Sequence, residues 1–172
     1  YGNAGQETVP WDYVLYGEFM KANRYLVTGG AGFIGSHIVE KLLKEGHFVR
    51  VLDNFSSGKR TNLSFSEGTV PVATGNSAQG DCPRSSIEII KGDIRNYKTC
   101  EKAYKGINYV IHQAALRSVP KSLVDPYSYN DVNINGTLNM LRAACKAKVK
   151  RFVFASSSSV YGDTDIFPEK ES

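Results

Sequence analysis

Three spaced glycines, an aspartate closing the next apolar segment and a run of serines after a later one carry this chain's chemistry. The stretch Arg24–His37 holds glycines in two registers. Gly30, Gly32 and Gly35 fit G-x-G-x-x-G, and Gly29, Gly32 and Gly35 fit G-x-x-G-x-x-G. In such a stretch the first glycine permits a tight strand-to-helix turn. The second lets a diphosphate approach the backbone, and the third lets the helix pack closely on the strand. The helix N-terminus then offers free N–H groups and partial positive charge. Asp53 ends the second apolar segment, where an acidic side chain takes the hydroxyls of an adenosine ribose. The pattern predicts a dinucleotide site over Gly29, Gly32, Gly35 and Asp53, and the acid favours NAD over NADP.

Other candidates stand where apolar segments end. Asn54, Ser57 and Gly58 lie in a polar turn beside the ribose position. Asp93 is placed to meet the adenine amino group, with Ile94 flanking the ring. Ala114 and Ala115 leave the fourth strand and are small enough for a cofactor to lie across the backbone. His112 reads as a packed structural histidine. His37, His47 and His112 have no companions at ligand spacing, so no metal is expected.

These residues need strands and helices in alternation. Strands are predicted at 25–28, 47–53, 87–91, 108–112 and 151–155. Helices are predicted over 33–45, with Ile34, Ile38 and Leu42 as the buried stripe, and over 97–104, capped by Asn96. A long helix begins at Asp125 and Pro126, carried by Val132, Leu138, Leu141 and Ala144. The alternation predicts an α/β fold, a Rossmann-type doubly wound parallel sheet in the order 3-2-1-4-5. A polar insertion occupies 56–85, with a short helix near Thr61–Phe65. Residues 24–172 form the incomplete dinucleotide-binding domain. Residues 1–23 are set apart as an extension that includes Trp11, Tyr13, Leu15 and Tyr16, either foreign to the domain or a short docked arm.

A chain of 172 residues is long enough for one core. Its net charge of +4 is scattered rather than clustered, which suits a small anion and gives no case for nucleic acid. No apolar run is of membrane-spanning length. Three cysteines without metal or redox spacing suit a reducing cytoplasm.

In order along the chain, Thr28–Gly35, Asp53 with Asn54, Gly92–Arg95, His112–Ala115, Asn133–Thr137 and Ser156–Gly162 resemble the extended short-chain dehydrogenases/reductases. More narrowly they resemble the NAD-dependent nucleotide-sugar epimerases. The segment His112–Pro120, with Ser122, Asp125 and Pro126, is similar to UDP-N-acetylglucosamine 4-epimerases. The resemblance implies NAD as cofactor, a UDP-sugar as substrate and a homodimer. Hydride leaves sugar C4 for NAD while a tyrosinate takes the hydroxyl proton, and it returns to the other face of the 4-keto sugar. By the same resemblance Ser157 is the catalytic hydroxyl, and Ser158 touches the sugar. Arg117 and Ser118 line the substrate pocket. Phe33 and Ile34 cover the diphosphate by backbone, Gln113 joins Ala114 and Ala115 on the cofactor side, and Asn133 ties the strands near the site. Arg117 departs from the family pattern, which has a small residue there. Such a cation favours a different sugar substituent or faces the cofactor.

Two absences sharpen the reading. None of the ten tyrosines has lysine four residues later, and Asp165 stands at that distance from Tyr161. The family's Tyr-x-x-x-Lys pair is therefore missing, and the chain is expected to be an N-terminal fragment that does not turn over substrate alone. Dehydratases of the family carry an acid just before Val-Tyr-Gly. Here Ser158 and Ser159 occupy those positions, which favours epimerase chemistry. The alternatives are another nucleotide-sugar enzyme of this fold and a non-catalytic NAD-binding sensor.

Overall fold

Strand β1, Arg24–Thr28, lies at the centre of the sheet, and Leu26, Val27 and Thr28 are fully buried. The computed structural model describes residues 22–64, 86–163 and 167–168. Residues 1–21 of the N-terminal extension and most of the 56–85 insertion lie outside them.

Around β1 stand β2 (Phe48–Asp53), β3 (Ile87–Lys91), β4 (Tyr109–His112) and β5 (Arg151–Phe154). All four pairings are parallel, and the order is β3-β2-β1-β4-β5, as expected. Parallel neighbours need crossovers, and helices supply them on both faces. Helix α1 (Phe33–Lys44) packs Val39, Leu42 and Leu43 with Val27, Val49 and Val51 on one face. On the other, α2 (Tyr97–Ala103) and α5 (Thr137–Ala147) bring Cys100, Ala103, Met140 and Ala143 against Leu26, Leu52 and Val110.

The expected stripe of α1 is rolled. Ile34 is 53% exposed and Ile38 half-buried, while Gly35, Ser36, Val39, Leu42 and Leu43 face inward. Contact between Gly35 and the preceding turn sets that rotation. The long helix after Asp125 is one right-handed run in three parts: α4 (Pro126–Asn130), a π-helical turn (Asp131–Gly136) and α5. Its buried face is Gly136, Met140, Ala143 and Ala144, so Leu138 and Leu141, expected inside, stand outside. Gly136 forces this choice. A Cβ there would lie 2.7 Å from Ile94 Cδ1, so the helix meets the core at its smallest residue.

Asn96 caps α2, accepting from Thr99 N at 3.1 Å, as its side chain predicts. A short helix α3 (Val119–Val124) was not foreseen, although Ser118 before Pro120 is a start signal. Near the expected helix at Thr61 a single 3₁₀ turn covers Arg60–Leu63.

Candidate functional site

The glycine turn joins β1 to α1 at the carboxyl end of the sheet. Gly29 has φ +65°, and its N–H donates to Leu52 O at 2.9 Å. A side chain there would come within 2.8 Å of Ala114 N, so Gly29 permits both the turn and the close passage of the strand-four exit. A Cβ on Gly35 would overlap the Gly29 carbonyl oxygen, which is the close helix-to-turn packing expected of the third glycine. Gly32 differs. Among the described residues a Cβ there meets only Gly29 O, at 3.2 Å, so their packing leaves its outer side open. Gly30 serves packing, since a Cβ would lie 2.9 Å from Val51 Cγ1.

Helix α1 has no acid in its first turn and no side-chain cap among the described residues. Its first two residues, Phe33 and Ile34, are exposed, and their amides meet no acceptor among the described residues. Unpaired N–H groups at a helix start favour an anion. The open side of Gly32 gives that anion room, so a diphosphate fits the cradle.

Asp53, the last residue of β2, is buried to 8% exposure. Its Oδ2 accepts from Ala31 N at 2.9 Å and its Oδ1 from Phe55 N at 2.7 Å. The carboxylate thus pins the glycine turn to the end of β2 and keeps one further lone pair on each oxygen. The polar turn after it folds back on the same place. Lys59 N and Asn62 Nδ2 both donate to Ala31 O, at 3.1 and 2.8 Å, and a Cβ on Gly58 would press on Ala31. Ser57 and Asn54 stand exposed on this turn.

Across from Asn54, at the end of β3, the Asp93 carboxylate is fully engaged. Oδ1 accepts from Arg95 N at 2.9 Å and Arg95 Nε at 3.0 Å. Oδ2 accepts from Arg95 Nη2 at 2.8 Å and Asn54 Nδ2 at 3.0 Å. The Arg95 bonds hold its pKa well below the usual carboxylate range. Ile94, expected beside an adenine ring, instead points into the core at 5% exposure, against Gly136. Its carbonyl accepts from Asn139 Nδ2 at 3.2 Å. Sequence reasoning missed Arg95, although an arginine two residues after an aspartate in a turn is a signal for such a fork.

The exit of β4 forms the next wall. Gln113 N and Ala114 N each donate to Thr28 Oγ1 at 3.2 Å, which ties Gln113 and Ala114 to β1 and leaves Ala115 exposed. The π-helical turn carries Asn133, whose Oδ1 accepts from Leu116 N at 2.8 Å and whose Nδ2 donates to Leu116 O at 2.9 Å. Asn133 therefore fixes the segment that leads to Arg117 and Ser118. Arg117 is exposed, and Ser118 caps α3. His112 is 1% exposed, and burial pushes its pKa down to about 4, in keeping with a packed residue.

Pairing beyond β5 continues through Ala155 N to His112 O at 3.2 Å, so the serine run leaves the sheet beside the end of β4. Ser157 is exposed. Its Oγ accepts from Ser159 N and donates to Ser159 Oγ, at 3.2 and 3.1 Å, capping the 3₁₀ turn Ser158–Tyr161. Ser158 opens that turn and is exposed. The fold thus brings the glycine turn, Asp53, Asp93, the Gln113–Ser118 segment and the serine run to one edge, the crevice at the carboxyl ends of the strands.

Residues 25–172 match the family model described as "NAD dependent epimerase/dehydratase family". The chain is 40% identical over 151 residues to a UDP-glucose 4-epimerase of Klebsiella pneumoniae, covering 87% of this chain and 99% of that sequence. It is 38% identical over 148 residues to a putative UDP-glucose 4-epimerase of Methanocaldococcus jannaschii, covering 85% of this chain and 42% of that protein. A solved UDP-N-acetylglucosamine 4-epimerase from Methanobrevibacter ruminantium, in complex with UDP-N-acetylmuramic acid, is 39% identical. It superposes with a TM-score of 0.71 over 89% of this chain and 44% of its own. The chain therefore spans less than half the length of the Methanocaldococcus jannaschii and Methanobrevibacter ruminantium proteins.

Proposed function

The chain belongs to the NAD dependent epimerase/dehydratase family, and we propose that it carries the NAD-binding part of a UDP-sugar 4-epimerase of the UDP-N-acetylglucosamine or UDP-glucose type. The observation that carries this reading is the cradle built by Gly29, Gly32 and Gly35 against the uncapped start of α1, with Asp53 pinned beside it. Its relatives among the epimerases support the reaction class.

In this reading the amides of Phe33 and Ile34 hold the NAD diphosphate. The free lone pairs of Asp53 take the adenosine ribose hydroxyls. Asn54, Ser57 and Gly58 border that ribose, and Asp93 takes the adenine amino group beside the backbone of Ile94. Gln113, Ala114 and Ala115 form the floor of the crevice under the cofactor, and Asn133 keeps that floor in place. Bound NAD supplies the hydride acceptor and donor for the passage through a 4-keto sugar. Ser157 hydrogen-bonds the sugar C4 oxygen and steadies the proton on it, Ser158 contacts the sugar, and Arg117 and Ser118 border the substrate. Oligomerisation as a homodimer belongs to the same reading, and exposed Ile134, Leu138 and Leu141 support it. So does work in the cytoplasm, which the free thiols Cys100 and Cys145 support.

A second reading rests on one observation. No tyrosine of the chain has lysine four positions on, so this polypeptide by itself suits an NAD-binding module. One experiment separates the two. The protein from the complete reading frame is incubated with UDP-N-acetylglucosamine and with UDP-glucose, and the C4 epimer is followed by proton NMR. Epimer formation, abolished by Ser157→Ala with NAD still bound, supports the epimerase. Binding of NAD with no epimer from either sugar supports the module.

A further inference from the structure

The four acceptor positions of the Asp93 carboxylate are divided unequally between two partners. Arg95 fills three, with its own N–H, Nε and Nη2 at 2.9, 3.0 and 2.8 Å. The fourth, on Oδ2, is filled by the side-chain amide of Asn54, which reaches across from the end of β2 at 3.0 Å. Arg95 is itself anchored from behind, since its Nη1 lies 3.6 Å from Asp131 Oδ2 on the π-helical turn. Asn139 also holds the Arg95 carbonyl, at 2.9 Å. Arg95 and Asn54 are both exposed, and Ser56 N donates to Asn54 Oδ1 at 3.0 Å, but Arg95 holds the carboxylate through three bonds and Asn54 through one. A planar guanidinium that bonds a carboxylate through two nitrogens sets the plane of that carboxylate, which a lysine does not do.

We propose that Arg95 is a positioning residue that turns Asp93 into a reader of one exocyclic amino group, with the Asn54 amide holding that place until the base arrives. The inference rests on the NAD reading above, which already sets Asp93 at the adenine amino group, and adds the residue that enforces the recognition. Three acceptor positions are closed by Arg95, so an entering base finds a single one, aimed at the end of β2. Only an N–H donor replaces the Asn54 amide there. A 6-amino purine supplies it. A 6-oxo purine presents an acceptor to the carboxylate at that atom and binds less tightly.

The test compares NAD with nicotinamide hypoxanthine dinucleotide, its 6-oxo counterpart, by titration calorimetry on the chain itself, with no turnover required. A hydrogen bond to a charged group amounts to roughly tenfold or more in affinity, so the unaltered chain should bind NAD at least about tenfold more tightly. Arg95→Leu should bring the two affinities within about twofold of each other. Arg95→Lys keeps the charge without the fork and should fall between; it also serves if Arg95→Leu does not fold, as judged by circular dichroism. Equal affinities in the unaltered chain would overturn the inference. So would an Arg95 variant that weakens both dinucleotides by the same factor, the mark of a merely structural role. Failure to bind either would overturn the NAD reading itself.

Discussion

Thr28 Oγ1 and His112 Nδ1 lie 2.6 Å apart, and this contact fixes the state of the histidine. Thr28 Oγ1 already accepts from Gln113 N and Ala114 N, so its proton goes to Nδ1. The ring proton therefore sits on Nε2 and donates to Thr137 Oγ1 at 3.0 Å, joining β1, β4 and α5. Both ring nitrogens are committed in the neutral form, and burial lowers the pKa from 6.5 to about 4. The unfolded chain binds this proton more readily, so stability is full above pH 6.5 and falls as the pH drops towards 4. The loss over that window is about 3 kcal/mol. Urea midpoints at pH 7 and pH 4.5 should show it, and His112→Gln should flatten this part of the profile. An unchanged pH dependence in the variant would contradict the assignment.

Gly32 and Gly35 should separate binding from folding. An added methyl at Gly35 strikes backbone, the Gly29 carbonyl and, at 2.8 Å, Gly30 Cα, and neither can swing aside. Gly35→Ala should cost about 2 kcal/mol or more of stability, at the upper end of overpacking effects. At Gly32 the only neighbour among the described residues is Gly29 O at 3.2 Å, so Gly32→Ala should cost less than about 1 kcal/mol. It should nevertheless lower NAD affinity by roughly tenfold or more, because the methyl takes the space of the diphosphate. Denaturation and calorimetry on the two variants measure both. A Gly32→Ala chain that binds NAD normally would remove the diphosphate from this turn.

Arg50 is a charge inside the sheet that holds a helix end. It is 7% exposed, bonds Glu88 through Nε at 2.9 Å and Nη2 at 2.8 Å, and donates Nη1 to the carbonyls of Ala103 and Lys105 at 2.9 and 2.7 Å. Arg50→Leu strands those carbonyls at the end of α2. The expected cost is about 2–4 kcal/mol, kept below that of a fully buried pair because Glu88 is 38% exposed. Arg50→Lys should recover less than half of it, since one ammonium cannot span both carbonyls and the carboxylate. The guanidinium chloride midpoint reports this directly.

How far the chain is legible without coordinates depends on how local each signal is. The strand order followed from apolar runs bounded by glycine and aspartate, and the glycine turn from spacing within a few residues. The roll of α1 did not follow. Ile34 is apolar and Gly35 is not, yet packing on Gly29 decides which of them faces the core. Likewise Leu138 and Leu141 look like core residues until Gly136 is placed against Ile94. Arg50 sits in an apolar run, and its role depends on Glu88, Ala103 and Lys105, which lie 38 to 55 residues away. The Asp93–Arg95 fork is a local pair, but its significance comes from Asn54, across two strands. Hydrophobic periodicity reads neighbours along the chain, whereas these contacts are set by the sheet.

Asn133 offers a test of how the crevice floor is held. Its amide makes two bonds to one residue, accepting from Leu116 N at 2.8 Å and donating to Leu116 O at 2.9 Å, as a neighbouring strand would. Asn133→Ala removes both and leaves the Leu116 backbone half-buried without them. The expected cost in overall stability is about 1–2 kcal/mol. The local effect should be larger in kind: exchange of the Leu116 amide hydrogen should quicken by roughly tenfold or more, while the amides of β1 keep their protection. Asn133→Asp retains the acceptor and loses the donor, so it should protect the Leu116 amide while leaving the carbonyl unpaired. Hydrogen exchange followed by NMR on the three chains distinguishes the cases. Uniform loss of protection across the sheet would mean that Asn133 supports the whole fold, and unchanged exchange at Leu116 would mean that the segment is held by something other than this side chain.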